Sequence, residues 1–267
     1  MEKPVQIKKI ISGNQRNFFW VIAHRGASYY APENTMPAFE LAFEMNADLI
    51  ELDVTLSSDF VPVIFHDKNL NEKSNGKGAV ISRDLEYLKS LDTGKWFSKK
   101  YKGTRISTLE EFLDWASGKI ALNIEIKKEV GILSPGRGAE EKIVQLVEKY
   151  RMSDHVLYSS FSYACLQKLK DIDKDLPVAV LYEPSQSVNR TPVQIIRNLN
   201  ASAFNCSWRE LKKKWIHELQ QENIPIMIYT VNRLSRMKNL ISRGVNSIFT
   251  DRPDILRKIA DPKNKTG

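Results

Sequence analysis

Short β-branched runs alternate with amphipathic helical stretches along nearly the whole chain, and this alternation constrains the fold more than any other feature. The strand candidates are 21–24, 49–54, 61–66, 121–127, 155–161, 177–183, 202–208, 225–232 and 246–251. Helical stretches lie between most of them, among them PENTMPAFELAFEM, TLEEFLDWA, AEEKIVQLVEKY and RLSRMKNLISR, and DILRKIA follows the last strand. In such helices apolar side chains like Phe39, Phe43 and Met45 recur at helical spacing and read as core. Strands and helices in alternation build a parallel sheet. At 267 residues the chain has the size of one TIM (β/α)8 barrel, α/β in class.

Nine strand candidates are one too many for an eight-stranded barrel. Successive parallel strands need a crossover of about a dozen residues, and the link TLSSDF between the second and third runs cannot supply it. The segment ELDVTLSSDFVPVIFHD, 51–67, is therefore expected to form an antiparallel hairpin whose second arm folds back over the barrel mouth. With a turn centred near Ser58 and Asp59, Glu51 falls opposite His66 and Asp53 opposite Ile64, within one residue. Side chains alternate along a strand, so Glu51 and Asp53 share a face. The polar stretch 68–104 is too long for an ordinary loop and reads as a small inserted excursion over the mouth. The expected organisation is a single barrel domain over 18–260, an N-terminal extension at 1–17 and a C-terminal tail at 261–267.

Composition narrows the setting. No apolar run approaches the ~18–20 residues that cross a bilayer, and the N-terminal segment has no continuous apolar core of the secretory kind. Only two cysteines occur, Cys165 and Cys206, so the expected compartment is reducing and cytoplasmic. The net charge of +8 favours anionic ligands, but the lysines are spread as on a solvated surface. No zinc spacing, basic zipper or RNA-binding aromatic motif accompanies them, so no nucleic-acid partner is expected. Oligomeric state is not readable.

Polar residues stand at four predicted carboxyl ends of strands, where barrel active sites lie. The first strand ends in His24 and Arg25; the second carries Glu51 and Asp53; the returning arm ends in His66 and Asp67. In LNIEIKK, Asn123, Glu125 and Lys127 alternate onto one face with apolar residues between. Three carboxylates, Glu51, Asp53 and Glu125, repel one another in a closed site unless paired or bound to an ion. Oxygen ligation of this kind suits a hard divalent cation, Mg²⁺ or Ca²⁺. The two imidazoles are then free for acid and base work near neutral pH. Arg25 and Lys127 supply positive charge for a phosphate-like anion. No G-x-S-x-G occurs, so the set favours phosphoryl over acyl transfer.

Each piece has a blander reading. Carboxylates at i and i+2 commonly mark a solvent face, an E-x-K pair can be a structural ion pair, and a histidine in an apolar strand is usually a hydrogen-bonded core residue. The last reading is kept for His155 and His217. The joint occurrence on three strands outweighs these separate readings.

With these residues in view, the chain resembles the glycerophosphodiester phosphodiesterase family. The matching segments are AHRGASYYAPENTMPAF, ADLIELDVTLSSDFVPVIFHDKNL, LNIEIK, LYSSF, YTVN and GVNSIFTDRPD, running from about 20 to 255 in the family's order. The resemblance implies a TIM barrel that hydrolyses glycerophosphodiesters to sn-glycerol 3-phosphate and an alcohol with a divalent cation. It also implies that His24 and His66 are paired acid/base histidines, Glu51, Asp53 and Glu125 metal ligands, and Arg25 and Lys127 phosphate contacts. In the mechanism it implies, the neighbouring glycerol hydroxyl attacks phosphorus, one imidazole takes its proton, the other protonates the leaving alkoxide, and the cyclic phosphate is then hydrolysed. Either histidine fits either part. Glu33 either orients nearby groups or caps the following helix. The chain departs from the family pattern at Asn46 and Phe60, where glycines are usual, and at Tyr229, where tryptophan is common; Asn46 suits a left-handed helix terminus.

Two rival readings remain open at this point. One is a lysophospholipase D or sphingomyelinase D type activity, which needs an apolar cleft built from residues such as Trp96, Phe97 and Trp208. The other is a barrel that only binds phosphodiesters or a partner protein, against which the full set of seven polar groups argues.

Overall fold

The structure, a computed structural model, describes residues 4–12, 18–128, 130 and 138–260; the expected tail at 261–267 lies outside the described residues. After a short helix α1 (Ile7–Ser12), strands and helices follow in the order β1 (Trp20–Ala23), α2 (Met36–Glu44), β2 (Leu49–Leu56), β3 (Pro62–Ile64), α3 (Leu85–Ser90), α4 (Leu109–Ala116) and β4 (Ala121–Ile126). The second half runs α5 (Ala139–Lys149), β5 (Val156–Ser160), α6 (Tyr163–Ile172), β6 (Val178–Leu181), α7 (Pro192–Asn198), β7 (Ala203–Ser207), α8 (Lys213–Gln221), β8 (Ile226–Tyr229), α9 (Leu234–Ser242), β9 (Ser247–Thr250) and α10 (Pro253–Ala260). Among the described residues no helix is long and apolar enough to cross a membrane.

The sheet order is β1-β9-β8-β7-β6-β5-β4-β2-β3, and β1 also pairs with β2, which closes eight parallel strands into a TIM barrel. The ninth strand, β3, stays outside and runs antiparallel to β2, as the short link between them requires. Its register differs by one residue from the expected one: Val54 faces Ile64 and Thr55 faces Val63. The physical reason is the turn. Ser57 N–H donates to Val61 O and Phe60 N–H to Ser57 O, leaving a loop of Ser58, Asp59 and Phe60, centred on Asp59. An odd loop needs a left-handed residue to rejoin the strands, and Phe60 takes it at φ 61°. That conformation costs about 1–2 kcal/mol for a residue with a side chain; partial burial of the ring against the main core offsets it. Asn46, beyond the end of α2, also adopts the left-handed conformation, at φ 57°.

Period-two alternation decides what fills the barrel. Ile22, Leu49, Ala121, Leu157, Ala179, Ala203, Met227 and Phe249 point inward as one apolar layer, with Trp20 and Ile7 of α1 in the same cluster. Each large buried side chain there contributes about 1.5–3 kcal/mol. The alanines on β4, β6 and β7 make room for Trp20 and Phe249 in a filled core. Further along four of these strands the inward positions turn polar: Glu51 and Asp53 after Leu49, Asn123 and Glu125 after Ala121, Ser159 after Leu157, and Asn205 after Ala203. The polar end is the carboxyl end, so the alternation itself builds a site above a dry floor.

The excursion after β3 carries its own small core, Leu70, Val80, Leu88 and Leu91 packed on Val63, Phe65 and Ile106. It is fastened to the mouth by Lys73 Nζ, 3.0 Å from Glu33 Oε2, and by Tyr101 Oη, which donates to Tyr30 O at 3.0 Å. At the opposite end of the barrel His155 Nδ1 donates to Val5 O at 2.8 Å, the structural role its position suggested.

Candidate active site

The ladder between β2 and β4 sets Glu51 against Asn123 and Asp53 against Glu125, all facing inward. Carboxylate oxygens of Glu51, Asp53 and Glu125 lie within 4.8 Å of one another. Two cations close on them. Lys127 Nζ stands 2.9 Å from Glu125 Oε1 and 3.2 Å from Asp53 Oδ1, and Arg25 Nε stands 3.2 Å from Asp53 Oδ2. The backbone turns sharply after β1 to reach this position: Arg25 has φ 56° and Gly26 φ 83°, and the Arg25 N–H donates to Glu51 Oε2 at 2.8 Å. At Gly26 a Cβ would sit 2.7 Å from the Ala38 backbone, so only glycine allows the turn to pack on α2.

The three acids are not equivalent. Burial, then the charges of Asp53 and Glu125, pushes the Glu51 carboxyl well above its ordinary value. Burial and Asp53 likewise raise Glu125. Burial works against Asp53 too, but Lys127, Arg25 and the Asn34 side chain win, holding it well below the usual carboxylate range. Asn34 grips Asp53 twice, donating from Nδ2 at 2.8 Å and accepting the Asp53 N–H at 3.2 Å. Such a site holds one firm negative charge and two carboxyls that resist ionising without further positive charge. All are hard oxygen donors, and the residues present fit a divalent cation.

Both imidazoles are backed by a carboxylate. His24 Nδ1 donates to Asp251 Oδ1 at 2.7 Å, and His66 Nδ1 donates to Asp67 Oδ1 at 2.6 Å. Asp251 also accepts from Ser28 Oγ and Asn232 Nδ2, and the Asn232 carbonyl takes Thr250 Oγ1 and the Asp251 N–H. Burial raises the Asp251 carboxyl, yet the bond from His24 and these donors hold it below its ordinary value, so it is an acceptor and Nδ1 carries the proton. That fixes the tautomer and leaves Nε2 to face the cavity. Thr230 Oγ1 lies 3.5 Å from His24 Nε2.

All seven residues singled out from the sequence are brought to the carboxyl end of the barrel. His24, Arg25, Glu51, His66 and Glu125 line one cavity of about 540 Å³ with Tyr229, while Asp53 and Lys127 reach it through their ion pairs. Glu33 is not the cap of α2; Thr35 holds that place, and Glu33 pairs with Arg25 Nη1 at 2.9 Å and with Lys73. Sequence reasoning missed Asp251, Asn232 and Asn34. Asp251 ends a predicted strand at the barrel's active face, which is the signal that could have found it. The aromatics grouped for an apolar cleft go different ways: Trp96 meets Phe97 edge to face and Phe97 meets Tyr101 in the same manner, whereas Trp208 lines a separate cavity with arginines.

Fold and site together define a (β/α)8 barrel with an acid cluster, two carboxylate-backed imidazoles and two cations at its carboxyl face. The family described as glycerophosphoryl diester phosphodiesterase matches over residues 24–255, and the chain belongs to that family. It is 36% identical over 249 residues to YhdW of Bacillus subtilis, covering 92% of this chain and 99% of that protein. It is 34% identical over 237 residues to the glycerophosphodiester phosphodiesterase of Caldanaerobacter subterraneus, covering 88% of this chain and 95% of that one. Among solved structures, an Agrobacterium tumefaciens glycerophosphodiester phosphodiesterase superposes with TM-score 0.78 at 28% identity, covering 90% and 99% of the two chains. An Oleispira antarctica phosphodiesterase, solved in complex with its product sn-glycerol-3-phosphate, gives TM-score 0.77 at 27% identity and coverage of 89% and 94%.

Proposed function

We propose that this chain hydrolyses small glycerophosphodiesters to sn-glycerol 3-phosphate and an alcohol, with a divalent cation, Mg²⁺ or Ca²⁺, held by Glu51, Asp53 and Glu125. The observation that carries the reading is the single cavity onto which His24, His66, Arg25 and two of the three acids open. When bound, the cation supplies Lewis-acid stabilisation of phosphoryl charge. The chain's own residues do the rest. Arg25 and Lys127 hold the phosphate anion in place. Arg25 lines the cavity while its Nε stays 3.2 Å from Asp53 Oδ2, which keeps the guanidinium at the acid cluster. One imidazole takes the proton of the neighbouring glycerol hydroxyl as that oxygen attacks phosphorus. The other protonates the leaving alkoxide, and water then opens the cyclic phosphate. Asp251 and Asp67 keep both rings oriented and stabilise each imidazolium as it forms. The two cysteines are free and buried, in keeping with a cytoplasmic setting.

A panel of glycerophosphodiesters assayed for glycerol 3-phosphate release with several divalent ions tests the reading. Replacing His24 or His66 by Ala should remove turnover by roughly 10²–10⁴-fold. Full activity in His24→Ala would sink it.

A further inference from the structure

A second cavity of about 680 Å³ opens beside the first, and Thr230 lines both. Its walls come from the segments after β7 and β8: Trp208 and Arg209 on one side, Asn232, Arg233 and Arg236 on the other. The guanidinium carbons of Arg236 and Arg209 lie 3.2 and 4.6 Å from the centre of the Trp208 ring. No carboxylate lines this cavity. The acids on adjoining segments are engaged elsewhere, Asp251 with His24 and Glu210 with the Ser207 N–H. Among the described residues none of the three guanidiniums forms an ion pair, and Arg236 Nη1 is buried with no hydrogen-bond partner at all. A buried charged donor without an acceptor is costly, and natural sites hold such groups where a ligand supplies the acceptor.

Resting on the proposed diesterase reading, we infer that this cavity is a subsite for a second anionic group, a phosphate carried by the alcohol half of the diester. Stacking on Trp208 orients the planar forks of Arg209 and Arg236, which suits bidentate recognition of phosphate oxygens better than a lysine cluster would. Because Thr230 Oγ1 sits 3.5 Å from His24 Nε2, an alcohol reaching the arginines leaves on the His24 side of the site. The subsite therefore sorts substrates by the charge of their leaving half and not by the glycerophosphate they share.

Steady-state kinetics on three diesters with the same glycerophosphate half test this: one whose alcohol bears choline, one bearing a carboxylate and one bearing a phosphate monoester. Arg236→Gln and Arg209→Gln should each raise KM for the phosphate-bearing diester about tenfold, the loss of one charge-assisted hydrogen bond. The shift should be smaller for the carboxylate and within twofold for choline, with kcat unchanged throughout. Equal shifts on all three, or none, overturn the subsite. Wild-type protein that turns over no diester defeats the diesterase reading instead, and the cavity is then read directly by inorganic phosphate quenching of tryptophan fluorescence. Quenching lost in Trp208→Phe and weakened in Arg236→Gln upholds the anion site; its absence in wild type overturns it.

Discussion

Glu33 joins two cations that the sequence holds far apart: its Oε1 accepts from Arg25 Nη1 at 2.9 Å and its Oε2 from Lys73 Nζ at 3.0 Å. The excursion is thereby tied to the arginine that the proposed reaction uses to hold phosphate. Glu33→Gln should raise KM for a glycerophosphodiester severalfold while changing kcat less, because the guanidinium loses its support and not its charge. Lys73→Ala should do less, since partly exposed ion pairs contribute about 0–1 kcal/mol. Steady-state kinetics on both variants check the order.

His24 depends on Asp251 in the same manner. Asp251→Asn should lower kcat by roughly 10²-fold with little effect on KM, as the ring loses both orientation and stabilisation of its charged form. The pH dependence has a definite sign. The folded Asp251 carboxyl lies below its ordinary 3.8. It therefore contributes stability above that value, and the contribution is lost as pH falls through the lower folded value. Urea midpoints of wild type and Asp251→Asn should differ at neutral pH and converge on acidification below about 4.

Glu51 and Glu125 resist ionising because of burial and of the Asp53 charge beside them, so a cation should stabilise the fold as well as serve the reaction. At about a hundred times its dissociation constant a ligand adds about 2.7 kcal/mol, which for a chain of this size raises the melting temperature by roughly 5–10 °C. Thermal unfolding with Mg²⁺ or Ca²⁺ should show the rise, and Glu125→Ala should abolish it. A chelator should remove turnover.

Gly26 is constrained twice, by φ 83° and by the Ala38 backbone 2.7 Å from any Cβ. Gly26→Ala should destabilise by about 2–5 kcal/mol, the sum of the left-handed cost and overpacking. Chemical denaturation measures it.

The thiols should be silent. Burial pushes Cys165 up to about 12 and raises Cys206 as well. Neither should react with Ellman's reagent in the native protein, and both should react on unfolding. Because the folded thiols hold their protons longer than unfolded ones, their contribution is complete below about pH 9 and declines as pH rises towards 12.

Much of the barrel and its polar mouth was legible because both follow from period-two alternation. Leu49, Glu51 and Asp53, or Ala121, Asn123 and Glu125, are dry below and acidic above on one face of one strand. What escaped was set by backbone or by distance. The hairpin register was readable only to within one residue, because the turn depends on Phe60 adopting a conformation that phenylalanine disfavours. PENT was read as the opening of a helix, but α2 begins at Met36, after Asn34 has turned to grip Asp53. The arginines around Trp208 come from the segment after β7, the segment after β8 and the first turn of α9, and they look like ordinary surface charge until the barrel sets them side by side.

β9 lies between β1 and β8, and it brings Asp251 to His24 across 227 positions of chain. The histidine is synthesised 227 positions ahead of its aspartate. A chain cut short before Asp251 thus has no oriented imidazole at this position, whatever else has folded. Assembly of that pair and insertion of β9 between its neighbours are one event, so hydrolytic competence would begin only once that strand is in place.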